Sequence, residues 1–324
     1  MKPSVISLFS GCGGLDLGFL QAGFDVVFAN DIDKEACETY TKNIGNHIVC
    51  KDIYTLDSSE VPNADVLIGG FPCLGFTIAN GKNRNLDSSY NKLYLEYARI
   101  LKAKQPKYFL VENVAGIQSG KGFREHFYEK ILPSFESCGY RVKHKILNAS
   151  DYFVPQNRKR VIIIGVRNDI PNDIDFPTPQ SKTPKTLKDA IGNLPLDYDS
   201  AIPNHIGSNH KIKINGYIGN RALDWDKPSP TITGRGSRGG GAVIHPHPNL
   251  HRRLSVRECA RLQSFPDNFI FYGSNGANYA HIGNAVPPLM SFYIAQEFMK
   301  AFYNPIESAK SMKIHKKNRA KLNL

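Results

Sequence analysis

Residues 4–24 read SVISLFSGCGGLDLGFLQAGF. A short apolar run meets Gly11, Gly13 and Gly14, and from Leu15 the apolar residues recur at helical spacing. Strand, glycine turn and helix is the opening unit of an open α/β sheet, and ligands of such sheets gather where the strands end. The glycines let the backbone approach a bound molecule, and the helix N-terminus that follows favours an anionic group. A nicotinamide dinucleotide fold needs G-x-G-x-x-G. Here Asp16 stands at the third position and the next glycine is Gly18, so a nicotinamide oxidoreductase fits this turn poorly.

Outward from this unit, DVVFAN, DVLIGG, YFLVEN and RVIIIGV read as strands, several of them apolar at consecutive positions, as a sheet covered on both faces requires. Helical patterns occupy Leu15–Ala22, Lys34–Asn43, Leu93–Lys104 and Phe123–Ser137. The alternation predicts an α/β fold with a doubly wound, mostly parallel sheet. After Arg167 the texture changes. PNDIDFPTPQSKTP (171–184) and KPSPTITGRGSRGGG (227–241) are rich in Pro, Gly, Ser and Thr, and helical periodicity returns at 288–303. The expected organisation is a catalytic and cofactor-binding domain from 1–170 with 276–306, a smaller irregular domain at 171–275, and a basic tail at 307–324.

Lys plus Arg number 41 against 29 Asp plus Glu, a net charge of +12, which points to a polyanionic partner such as nucleic acid. No run of about 18 apolar residues exists, and the first apolar stretch is too short for a secretory signal, so a cytoplasmic protein without a membrane partner is expected. The six cysteines (12, 37, 50, 73, 138, 259) form no C-x-x-C pair, which argues against a zinc site and a disulfide framework. HPHP at 245–248 reads as a surface loop rather than a metal site. Cys12 and Cys259 read as packing.

Acids follow the glycine turn. In VVFANDID, Asp31 lies 20 residues after Gly11, where a carboxylate can accept hydrogen bonds from ribose hydroxyls. Asp52, in CKDIY after another short strand, can reach the exocyclic amine of an adenine. A cofactor with ribose and adenine but no pyrophosphate suits this loop, and S-adenosylmethionine is such a molecule.

GGFPCLGFT (69–77) poses a further question, because Pro72 holds a single cysteine, Cys73, just past a strand. Four other stretches bear on it: VENV (111–114), QNRKR (156–160), RRLSVRECARLQSFPDNF (252–269) and GNAVPP (283–288). With FSGCGG and FPC in front, these six motifs in this order resemble the DNA cytosine-5 methyltransferases, from residue 5 to about 300 except for 171–250. The resemblance assigns Cys73 as the nucleophile at cytosine carbon 6, which makes carbon 5 reactive enough to take a methyl group. It implies that Glu112 contacts N3 and the exocyclic amine, protonated or sharing a proton with the base. It implies that Arg160 contacts O2, and that Arg158 joins the catalytic set by steadying the loop or a phosphate. Cofactor contacts are implied for Phe9, Gly11, Gly13, Gly14, Asp31, Ile32, Asp52, Ile53, Pro72 and Asn284. Leu74 departs from the family, which usually has Gln after the cysteine. RECARLQSFPDNF reads as a supporting helix.

Such chemistry requires the cytosine to leave the duplex. Residues 80–91, NGKNRNLDSSYN, have the length of a closing loop, with Lys82 and Arg84 as phosphate contacts. Thr231, Thr233, Arg235 and Arg238, on a glycine-rich stretch, are placed to read DNA bases or hold phosphates. The compact chain resembles bacterial restriction–modification methyltransferases, so a monomer acting on double-stranded DNA beside a cognate restriction endonuclease is expected. Two alternatives stay open: a tRNA-methylating branch that shares these motifs, and a non-catalytic DNA-binding regulator on the same fold.

Overall fold

The computed structural model describes residues 2–72, 92–208, 211–212, 214–216, 220–234 and 244–303. Seven strands form one sheet: β1 (Ser4–Leu8), β2 (Asp25–Asp31), β3 (Ile48–Cys50), β4 (Val66–Gly69), β5 (Tyr108–Val114), β6 (Tyr140–Asn148) and β7 (Lys159–Arg167). Their order is β3-β2-β1-β4-β5-β7-β6. The first five are parallel to one another, while β7 runs antiparallel to both β5 and β6.

Alternate residues of each strand feed opposite faces. Ile6, Leu67, Phe109 and Val161 pack beneath α3 (Leu93–Lys104), with Tyr97 and Leu101 completely buried. Val5, Ile68, Leu110 and Ile162 meet α1 (Gly14–Gln21) and α9 (Pro288–Tyr303) on the other face. α9 does return to the first layer, as its apolar spacing predicts. α2 (Lys34–Asn43) is capped by Asp33, whose side chain accepts from Ala36 N.

Three elements differ from the sequence expectation. The segment read as one helix, Phe123–Ser137, is α4 (Lys121–His126), a wider π stretch (Phe127–Ile131) and α5 (Leu132–Glu136). Pro133 has no N–H to donate back, and the widened turn sits just before it. β6 was not anticipated. It is an edge strand whose Arg, Lys and His residues hide its apolar alternation and guard the edge. HPHP is not a surface loop: His245 and His247 are 2% and 3% exposed. The chain doubles back there, with Leu254 N donating to His245 O and His247 N to Arg252 O, and His247 packs edge-on to Trp225.

After β7 the chain returns along the molecule as a strap. Asn168 N bonds Gly139 O, Asn172 Nδ2 bonds Ala301 O, and Pro177 O accepts from Tyr152. A third buried cluster follows, built from α6 (Leu187–Ile191), α7 (Val256–Leu262), α8 (Asn275–Asn284) and Leu223, Ile232, Ile244, Phe265 and Phe269. Cys12 of the glycine turn and Cys259 are both buried within it. Among the described residues no helix is long and apolar enough to cross a membrane.

Candidate active site

β4 and β5 are parallel, with Gly69 opposite Val111, so Gly70 and Glu112 leave this register side by side. A Cβ on Gly70 would lie 3.2 Å from Glu112 Oε2, closer than an ordinary contact, and glycine lets the chain pass over the carboxylate. Phe71 then turns inward while Pro72 is exposed. Asn113 Nδ2 donates to Phe71 O at 3.2 Å, which ties this turn to β5. Cys73, the next residue, lies outside the described residues, as do Leu74, Lys82, Arg84, Arg235, Arg238, the 80–91 loop and the 307–324 tail.

The reversed direction of β7 brings its first residues to the same edge. Glu112 faces Ile162 and Val114 faces Arg160. Residues two apart share a sheet face, so Arg160 and Glu112 are diagonal neighbours across the strands. Arg160 Nε lies 2.7 Å from Glu112 Oε1, and each side chain is 10% exposed. That approach is off the N–H axis, and Oε1 has no aligned hydrogen bond among the described residues. The carboxylate is charge-paired yet keeps a lone pair for another donor.

Arg158 is 1% exposed and faces protein carbonyls rather than the open edge. Its Nη1 donates to Ile232 O, and its Nη2 to Gly283 O and Ala285 O, all at 2.9 Å. Burial pushes its pKa down, the nearby Arg160 charge acts the same way, and Glu112 opposes them.

At the other end of the edge, Phe9, Gly11 and Gly13 all take positive φ. A Cβ on Gly13 would also overlap Ile44 Cδ1. α1 begins without a side-chain cap, and the start of a helix favours an anionic group. Asp31 Oδ2 accepts from Gly11 N at 2.7 Å and Oδ1 from Asp33 N at 2.9 Å. Burial raises its pKa against these two bonds. Asp52 Oδ1 accepts from Tyr54 N, Ile53 is buried, and Ile32 is 65% exposed beside Asp31. A helix start, a carboxylate aligned on the glycine turn and a bare apolar side chain fit a ligand with an anionic end, a ribose and a flat base. Asn284 ends α8, its side chain crowded against Gly234.

Under the glycine turn, Asp16 is fully buried. It accepts from Ser7 Oγ at 3.0 Å and Tyr40 OH at 2.9 Å, and burial pushes its pKa up to about 6. Thr231 Oγ1 donates to Asn157 O at 2.7 Å. Thr233 Oγ1 is buried and has no partner among the described residues. Sequence reasoning passed over three buried amides: Asn113, Gln156 and Gln263. Each stands inside a motif already singled out, and that position was the available signal.

The mixed sheet, with its glycine turn and a carboxylate–guanidinium pair at the carboxyl edge, defines a Rossmann-like methyltransferase architecture. Residues 3–300 match the family described as C-5 cytosine-specific DNA methylase, and the chain belongs to that family. It is a DNA cytosine-5 methyltransferase. The Type II methyltransferase M.MthTI of Methanothermobacter thermautotrophicus is 40% identical, covering 93% of this chain and 98% of that protein. M.FnuDI of Fusobacterium nucleatum, also a Type II methyltransferase, is 39% identical, covering 90% and 93%. A solved structure from an Escherichia coli prophage, described as a DNA modification methyltransferase, superposes with a TM-score of 0.76 at 28% identity, covering 94% of this chain and all of that one.

Proposed function

We propose that the protein methylates carbon 5 of a flipped-out cytosine in a short double-stranded DNA sequence, as the modification half of a Type II restriction–modification system. The carrying observation is the Glu112–Arg160 pair beside Gly70, three residues ahead of Cys73. The naming of the relatives as Type II methyltransferases supports the biological setting.

In this reading Glu112 takes up a proton as the base binds and shares it with N3; the Cys73 thiolate bonds to carbon 6 as that proton settles on N3, and the ring's electron density moves to carbon 5. Arg160 stays beside O2 and balances the developing charge. S-adenosylmethionine supplies the electrophilic methyl group that carbon 5 takes. A base, such as a water molecule, then takes the carbon 5 proton, which restores the double bond and expels the Cys73 thiolate, and N3 returns its proton to Glu112. Phe9, Gly11, Gly13, Gly14, Asp31, Ile32, Asp52, Ile53, Pro72 and Asn284 hold the cofactor, and Arg158 secures the turn beside it.

Residues 171–275 form the target-recognition domain. Thr231, Thr233, Arg235 and Arg238 meet DNA there, and Lys82 and Arg84 contact phosphates. The enzyme works as a cytoplasmic monomer, with a restriction endonuclease cutting the same site when unmethylated.

The test is methyl transfer from labelled S-adenosylmethionine to unmethylated duplex DNA, wild type beside Cys73→Ala, with bisulfite sequencing of the product. Wild type should make 5-methylcytosine at one short site and the variant none. Label that persists in Cys73→Ala would sink the covalent mechanism. Label found in tRNA and absent from DNA would overturn the substrate.

A further inference from the structure

The recognition segment pairs with the turn before β7 along residues 229–232. Asn157 N donates to Ser229 O, and the contact centres on the peptide of Ile232. Its N–H donates to Gln156 Oε1 and its carbonyl accepts from Arg158 Nη1, both at 2.9 Å. Gln156 and Arg158 lie four and two residues ahead of Arg160 and are 0% and 1% exposed. Gln156 Nε2 donates to Gln263 Oε1 at 2.9 Å, and Gln263 Nε2 to Ile282 O at 2.6 Å. Arg158 Nη2 closes on the carbonyls of Gly283 and Ala285. Three strands of chain meet in one buried polar hub: the turn leading to Arg160, the segment carrying Thr231 and Thr233, and the turn carrying Asn284.

We propose that Gln156, Arg158 and Gln263 are positioning residues that register the DNA-reading segment on Arg160, so that both turnover and sequence fidelity depend on them. This rests on the proposed recognition role of residues 171–275. The physical reason is that the N–H and carbonyl of Ile232 are each held by a buried side-chain group, Gln156 Oε1 and Arg158 Nη1. Displacing Ile232 strands several of them at once, so the hub has a single favourable arrangement. A shift there reaches Arg160 within two residues, and a misplacement of about 1 Å costs on the order of 100-fold in rate.

The test compares wild type, Gln156→Met and Arg158→Lys. Readouts are melting temperature, S-adenosylmethionine binding without DNA, and kcat and KM on the target site and on sites with one base changed. Folded Gln156→Met should keep cofactor affinity within about 3-fold, and both folded variants should lose about 10- to 100-fold in kcat and about 10-fold in target preference, as expected for a lost buried hydrogen bond. A folded variant with unchanged kcat and preference overturns the proposal. So does a loss of activity that follows the folded fraction with preference intact. Where Gln156→Met does not fold, Arg158→Lys decides by the same readouts, since lysine keeps the charge and reaches fewer carbonyls. Wild type that methylates no fixed site removes the recognition reading, and this proposal with it, before any variant is made.

Discussion

Asp16 and Glu112 are both buried acids, yet their surroundings give them different tasks. Glu112 has the Arg160 guanidinium beside it. Asp16 instead accepts from two hydroxyls, Ser7 and Tyr40, and burial pushes its pKa up to about 6. An unfolded aspartate titrates near 3.9, so between about pH 4 and 6 the folded chain holds the proton more tightly. The stability this group contributes is full below about pH 4. It is lost as pH rises through 6, by roughly 3 kcal/mol. Asp16→Asn cannot ionise, so its unfolding free energy, measured in urea from pH 4.5 to 7.5, should lack that decline. Parallel curves would refute the assignment. Glu112 and Arg160 were legible because each ends or begins an apolar strand within a motif. Asp16 appeared only as a mismatch to a dinucleotide pattern. Asn113 and Gln156 were not legible, because a buried amide answers to carbonyls far away in sequence, which no local spacing encodes.

Close packing of α1 against α9 depends on Gly18. A Cβ there would overlap the Ser291 side chain, whose hydroxyl donates to Leu15 O at 2.5 Å. Gly18→Ala gains about 1 kcal/mol of helix propensity but must push the helices apart, at about 1–3 kcal/mol or more. Urea unfolding should show a net loss of stability, and a gain would mean that α9 yields easily. Among the elements, β1, β2, β4, β5 and β7 announce themselves as apolar runs and α2 and α3 by their spacing. α8 does not. Its sequence, NGANYAHIGN, is rich in weak helix formers, and tertiary contacts hold it: Tyr279 OH donates to Leu254 O and Ile282 is fully buried. β6 was obscured by its charged residues, and with it the reversal of β7.

For the whole molecule, a net charge of +12 means that DNA binding releases many counterions. KM for DNA should rise by about 10-fold or more between roughly 50 and 200 mM salt, with KM for S-adenosylmethionine nearly constant, as read by steady-state kinetics at both salts. Equal responses of the two constants would remove phosphate contact as the source. The path of the chain has a separate consequence. β7 leaves the chemical edge and travels about 30 Å to the opposite one, and the strap after it climbs back past Tyr152. Residues 182–185 at its far end are exposed, whereas Ile174 is 1% exposed. Extra chain spliced in at 182–185 would lengthen the path into residues 186–275 without disturbing any strand ladder.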